Sequence, residues 1–200
     1  MEWAFLGSVF ITLLVIIDPP GIIPIFLGLT AGRSRRDVAR LALQATLTSL
    51  GVITGFAVLG DKILSYLHIS LPAMQGAGGL LLLLVALDLL TGKATEPEAH
   101  DDVSIALVPL GVPLLAGPGA IVATILFARD AQTPVEMVAL AAAILAVHAL
   151  LWAAMRYSVV IARVLGRGGI IVLTRISGVL LAAIAVQLIA DAVRGFVVAG

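Results

Sequence analysis

Six long apolar runs follow one another along the chain, at about 3–30, 38–60, 71–91, 103–128, 136–156 and 170–193. Each has the roughly 20 apolar residues that a helix needs to cross a bilayer. Polar residues are confined to the breaks between them. Arg33, Arg35, Arg36, Asp37 and Arg40 fill the first break, and Asp61, Lys62 and His68 the second. Lys93, Glu96, Glu98, Asp101 and Asp102 make the third and longest. Arg129 and Asp130 mark the fourth; Arg156, Arg163, Arg167 and Arg175 mark or flank the fifth. The pattern predicts an all-α polytopic membrane protein of six transmembrane helices, in one integral membrane domain over 1–200.

Proline breaks this regularity in two places. Pro19, Pro20 and Pro24 lie inside the first run, and Pro109, Pro113 and Pro118 inside the fourth. Proline lacks an N–H and clashes with the preceding turn, so both helices are expected to break near the membrane midplane. Glycine accompanies each break, in Asp18-Pro19-Pro20-Gly21 and in Gly117-Pro118-Gly119. Backbone freed in this way persists in lipid only where protein buries it or a wet cavity is lined. The windows also correspond. At an offset of 98, Pro20-Gly21 falls on Pro118-Gly119; at 99, Gly79-Leu80-Leu81 falls on Gly178-Val179-Leu180 and Asp88 on Gln187. Two halves of three segments, 1–98 and 99–200, are expected. Three is odd, so they enter the membrane from opposite sides, as inverted repeats do in secondary transporters.

Composition narrows the class. The 200 residues are 61% hydrophobic and 12% charged, with zero net charge and a mean hydropathy of +1.17. A soluble domain carries about 25% charged residues. No basic face is available to recruit phosphates, which argues against nucleic acid as a partner. No cysteine is present, which excludes disulfides and thiolate metal sites. His68, His100 and His148 are too scattered to suggest a metal site, and no cofactor is expected. The start, MEWAFLGSVF, has no basic region, so the first run is expected to remain as a helix. Lys and Arg favour cytoplasmic connections. Nine of the 12 fall in the first, third and fifth connections, against Lys62, Arg129 and Arg194 on the opposite side. Both termini are therefore expected on the non-cytoplasmic side.

The candidate chemistry gathers at the breaks. Asp18 lies near the centre of the first run, where a charge costs roughly 2.5–3.5 kcal/mol on insertion scales. Two readings stand: a carboxylate that couples an ion or contacts a solute, or a cap for the half-helix that follows. Half-helix N-termini after Gly21 and Gly119 offer free donors suited to a carboxylate, and the carbonyls before each break suit an ammonium group or cation. They are otherwise plain kinks that let helices pack. Gln44, Thr48, Gly51 and Gly55 form one small, polar stripe, either a helix-packing face or part of a solute path. Gly76 and Gly79 are read in the same way. His148 is either a proton relay or a neutral hydrogen-bond partner. Asp88 and Asp191 read as interfacial, with Asp191 one turn from Arg194; Gln187 needs a partner, and Trp3 and Trp152 read as interface anchors. No phosphate loop or zinc-helix motif is present, so an enzyme is not expected. Ser177-Gly178 lacks the further glycine of a membrane serine protease, since position 175 is arginine.

Three stretches resemble the MarC/SnatA family. Asp18-Pro19-Pro20-Gly21 with Ile23-Pro24-Ile25-Phe26-Leu27 and Leu29-Thr30 is similar to its first-segment signature. Val112-Pro113-Leu114-Leu115-Ala116-Gly117-Pro118-Gly119-Ala120-Ile121 is similar to the fourth. Thr174-Arg175, Gly178-Val179-Leu180-Leu181 and Ile184-Ala185-Val186-Gln187 are similar to the last helix. The resemblance spans essentially the whole chain. It implies a bacterial or archaeal inner-membrane protein and a secondary transporter of small neutral amino acids such as glycine and alanine, driven by an H+ or Na+ gradient. Ile22 stands where the family usually has Asn, and Gly28 where Ser is frequent. The solute is expected between Asp18, Pro19, Pro20, Gly21 and Ile22 on one side and Ala116, Gly117, Pro118, Gly119 and Ala120 on the other, with Thr48 nearby. Asp18 is the expected ion-coupling residue. A non-transporting membrane scaffold and a small-solute channel are the alternatives.

Overall fold

The computed structural model describes residues 2–92 and 115–199. They form α1 (Glu2–Ile17), α2 (Pro19–Leu29), α3 (Arg35–Tyr66), α4 (Leu71–Thr91), α5 (Pro118–Asp130), α6 (Pro134–Arg156) and α7 (Ser158–Ala199). No strand occurs among the described residues. Five stretches are long and apolar enough to cross a membrane: Trp3–Leu29, Arg35–Tyr66, Leu71–Thr91, Pro134–Arg156 and Gly168–Val198. The first is α1 and α2 taken together. Residues 103–114 of the expected segment 103–128, with Pro109 and Pro113, lie outside the described residues. Its remainder, α5, has 13 residues and is too short to span alone.

Helix starts follow from local chemistry. The Ser34 hydroxyl accepts from the Asp37 N–H at 3.2 Å and begins α3; Ser70 does the same for Ala73 at 3.2 Å and begins α4. Thr133 and Glu136 close a capping box at α6, with Pro134 opening the first turn. At the other end of α4, Gly92 takes a positive φ of 80°, which glycine adopts without strain.

Two expectations need correction. The second segment is longer than its apolar run, because a capped start and good helix formers such as Arg35 and Arg36 carry the helix past the hydrophobic boundary. The fifth break, between the runs 136–156 and 170–193, is itself almost wholly helical. Helix α7 begins at Ser158, and its one interruption is Gly166 (φ 63°, ψ 175°). Arginine is compatible with helix, so Arg163, in the fifth break, lies on α7, as does Arg175 inside the last run.

Helix α4 runs antiparallel to α7 along almost its whole length. Pro72 meets Gly195, Gly76 meets Ala192, Gly79 meets Ala185 and Ile189, and Gly178 meets Ala86 and Leu90. Small residues allow this close approach where lipid supplies no hydrophobic drive between helices. Around that pair, α2 packs on α7 and α6, α5 on α4 and α3, and α1 and α3 on α6. The shared core includes Leu13, Ile17, Phe26, Ile53, Leu151 and Leu181. Large side chains such as Val58, Leu84, Val138 and Val172 point outward, an arrangement suited to lipid rather than water. An ion pair from Arg129 to Asp61 ties the end of α5 to α3.

Candidate functional site

The break between α1 and α2 follows from two prolines. Pro19 and Pro20 have no N–H, so the carbonyls of Val15 and Ile16 lose their helical donors. The Asp18 N–H still donates to the Leu14 carbonyl at 3.0 Å, and the Ile22 N–H donates to the Asp18 carbonyl at 3.2 Å. Asp18 therefore carries the whole change of direction, at φ 49° and ψ 64°. That left-handed conformation is uncommon outside glycine, and aspartate tolerates it better than most residues. The side chain is buried, at 6% exposure. Its carboxylate lies against Gly21, within reach of that residue's N–H and of the Ser177 hydroxyl on α7. It closes no capping hydrogen bond of normal geometry. A Cβ at position 21 would collide with the carboxylate, which explains the glycine.

A cavity of about 300 Å³ opens beside this break, lined among others by Gly21, Pro24, Leu89, Thr174 and Arg175. Gly21 thus has the buried Asp18 carboxylate against it, and it lines a small space with the Thr174 hydroxyl and the Arg175 guanidinium. Arg175 and Ser177 were not among the site residues expected from sequence. Their signal is the spacing of Thr174 and Ser177, three apart on one helix face, within a run already notable for its resemblance.

The second break is simpler. Gly117 precedes α5 with no side chain to cap it, and Pro118 opens the first turn. The Ile121 N–H donates to the Gly117 carbonyl at 3.1 Å. The N–H groups of Gly119 and Ala120 point out of the first turn without a helical acceptor. Ala116, Gly119 and Ala120 are buried. Gly119 packs on Leu82, and the Pro118 carbonyl and Val122 pack on Gly78.

Both breaks therefore dock on the α4–α7 pair, one at Ser177 and the other at Gly78. Ser177 lies opposite the Ala86–Leu90 stretch of α4, about ten residues from Gly78, or ~15 Å at the helical rise. The breaks stand at different heights, and one small solute does not touch both anchor points. Ile22 is 4% exposed and belongs to the apolar core. The Thr48 hydroxyl donates back to the Gln44 carbonyl at 2.9 Å, and nothing lies within 4 Å of a Cβ at Gly51 or Gly55. That stripe faces outward, away from the breaks, whereas Gly76 and Gly79 face α7. His148 is 2% exposed and lies between Ser49 and the Ile144 carbonyl. Gln187 donates to Asp191 at 2.9 Å, and Asp191 also meets Arg194 at 3.9 Å. Trp3 is exposed near one span end; Asp88 is exposed near another.

Fold and site together define a polytopic helical membrane protein whose first span is interrupted at a buried carboxylate. Residues 3–197 match the family described as MarC family integral membrane protein. The chain belongs to that family. It is 36% identical to a UPF0056 membrane protein of Aquifex aeolicus, over 92% of this chain and 90% of the relative. Identity is 38% to one of Archaeoglobus fulgidus, over 94% and 92%. It is 32% to the UPF0056 membrane protein YhcE of Escherichia coli, over 93% and 90%. No solved structure matches the chain.

Proposed function

We propose that the protein is a secondary transporter of small neutral amino acids, coupled to an H+ or Na+ gradient. The observation that carries this reading is the break at buried Asp18, whose carboxylate lies against Gly21, next to a 300 Å³ cavity that Gly21, Thr174 and Arg175 line. A zwitterion needs both charges met in one place. Asp18 and the carbonyls of Val15 and Ile16 suit an ammonium group or a coupling cation; Arg175 suits a carboxylate. Pro24, Ile25 and Leu89 give the cavity an apolar wall, which suits a solute without a charged side chain. Ile22 contributes shape rather than a hydrogen bond, so specificity rests on Asp18, Thr174 and Arg175. The expected residues Pro19, Pro20 and Gly21 form the backbone of this half-site. Ala116, Gly117, Pro118, Gly119 and Ala120 form a second half-site at the other height.

The reading extends to an inverted repeat. One offset of 99 carries Pro19, the first residue of α2, onto Pro118, the first of α5. The same offset carries Gly79 onto Gly178 and their partners Ala185 and Ile189 onto Ala86 and Leu90. It also carries Gly78, beside one break, onto Ser177, beside the other. These reciprocal contacts support two halves, 1–98 and 99–200, that exchange roles as each half-site opens to one side. Orientation follows the arginine bias, with both termini non-cytoplasmic.

Uptake of labelled glycine and alanine into proteoliposomes, under imposed H+ and Na+ gradients, tests the proposal. Wild type is expected to show saturable, gradient-dependent uptake. Asp18→Asn is expected to lose gradient dependence and at least ~10-fold in rate, equivalent to about 1.4 kcal/mol. Arg175→Gln is expected to raise the apparent KM. Normal ion-dependent transport by the Asp18→Asn variant would reduce Asp18 to a bend in the chain.

A further inference from the structure

At the far end of α2 lies a second cavity, of about 520 Å³, with different chemistry. Four arginines line it: Arg33 from the α2–α3 loop, Arg35 from the start of α3, Arg156 from the end of α6 and Arg163 from the start of α7. Among the described residues, no carboxylate lines it. The ion pairs among the described residues are Arg129–Asp61 and Arg194–Asp191, so none of the four guanidinium groups is neutralised by a described residue. Asp37, the acid nearest in sequence, accepts from the Ser34 hydroxyl at 2.6 Å. The preference for positive charge at one membrane face accounts for arginines in these connections. It does not account for four of them, from separate elements, converging on one cavity without an acidic partner among the described residues.

The position is equally specific. Leu29 ends the first span, Arg35 begins the second, Arg156 ends another and Gly168 begins the last. The cavity therefore sits where spans meet water, at the level of lipid headgroups. Its wall is amphiphilic: Val159 and Val160, each more than half exposed, stand beside Tyr157 and the arginines. The break at Gly166 sets this first part of α7, 158–165, apart from the span that follows. A soluble anion uses only the charges. An apolar wall next to them matches an acyl chain as well.

We propose that this cavity binds the phosphodiester headgroup of an anionic membrane phospholipid, with the arginines on the phosphate and Val159 and Val160 against the chain. The inference stands independently of the transport reading. The test uses the full chain purified in detergent, titrated with phosphatidylglycerol, phosphatidylcholine or soluble glycerol 3-phosphate. Melting temperature and lipid retained in native mass spectra are the readouts. Phosphatidylglycerol is expected to raise Tm by several degrees and to remain bound, and the other two are not. Arg156→Gln with Arg163→Gln is expected to abolish that shift without lowering the lipid-free Tm. Arg33→Gln with Arg35→Gln, on different elements, gives the same readout should the first pair fail to fold. Arg36→Gln with Arg40→Gln, which changes a neighbouring cavity beside Trp152, is expected to keep the shift. Equal stabilisation by phosphatidylcholine overturns the proposal, as does equal stabilisation by glycerol 3-phosphate. So does an equal loss in the Arg36/Arg40 control, or a full shift in both cavity variants.

Discussion

Ser49 and His148 show how one buried polar contact is resolved. The Ile144 carbonyl, 2.8 Å from Nδ1, only accepts, so Nδ1 carries a proton. In the neutral ring Nε2 is then an acceptor, and the Ser49 hydroxyl donates to it at 3.1 Å. Both residues are almost fully buried, and they join α3 to α6 near the middle of each. Helix-to-helix hydrogen bonds in membranes contribute about 0.6 kcal/mol on average and about 1.7 at most. Ser49→Ala is therefore expected to destabilise the folded protein by about 1 kcal/mol, read from reversible unfolding in mixed micelles. Ser49→Ala combined with His148→Leu is expected to cost less than the sum of the two single changes, because the second removes the acceptor that the first leaves unpaired. Strict additivity would mean that the pair does not interact.

Helix pairs carry the next prediction, because the glycines differ in what surrounds them. A Cβ at Gly79 would come within 2.8 Å of Ile189 Cγ1 and 2.9 Å of the Ala185 carbonyl oxygen. At Gly178 the nearest atoms are at 3.0 Å and 3.2 Å. At Gly51 nothing lies within 4 Å. Alanine is favoured over glycine in a helix by about 1 kcal/mol, while overpacking costs roughly 1–3 kcal/mol. Crowding wins at Gly79 and propensity at Gly51. The expected order of stability is Gly79→Ala, then Gly178→Ala, then wild type, then Gly51→Ala as the most stable. A Gly79→Ala protein as stable as wild type would mean that α4 and α7 do not approach as closely as described.

For the whole molecule, the testable quantity is orientation. The chain has no cysteine, so single cysteines can be introduced on a clean background. Arg33→Cys lies between α2 and α3, and Lys62→Cys lies near the far end of α3. A membrane-impermeant thiol reagent added to intact cells is expected to label Lys62→Cys and to leave Arg33→Cys unlabelled until the cells are opened. The reverse pattern would invert the orientation. Labelling of both from outside would remove α3 as a span.

Much of this was legible along the chain. The apolar runs locate the spans because a bilayer imposes a fixed thickness on any helix that crosses it. Residues 71–91 coincide with α4. The break at Asp18 was legible because two adjacent prolines remove two backbone donors whatever surrounds them. Helix lengths were less so. The Ser34 cap and helix-forming arginines, rather than hydropathy, decide where α3 begins, and α7 starts well before its apolar run, interrupted at Gly166. The site was half legible. Asp18, Gly21 and Gly119 announce themselves through proline and glycine chemistry. Arg175 and Ser177 read as a flank and a failed motif, because nothing local connects residue 18 to residue 177. That connection exists only once small residues let α4 and α7 close against each other and α2 docks on α7. The same packing puts the two breaks at different heights and turns the Gln44–Gly55 stripe outward. Local backbone chemistry determines where the chain must bend; only the packing of distant helices decides what each bend faces.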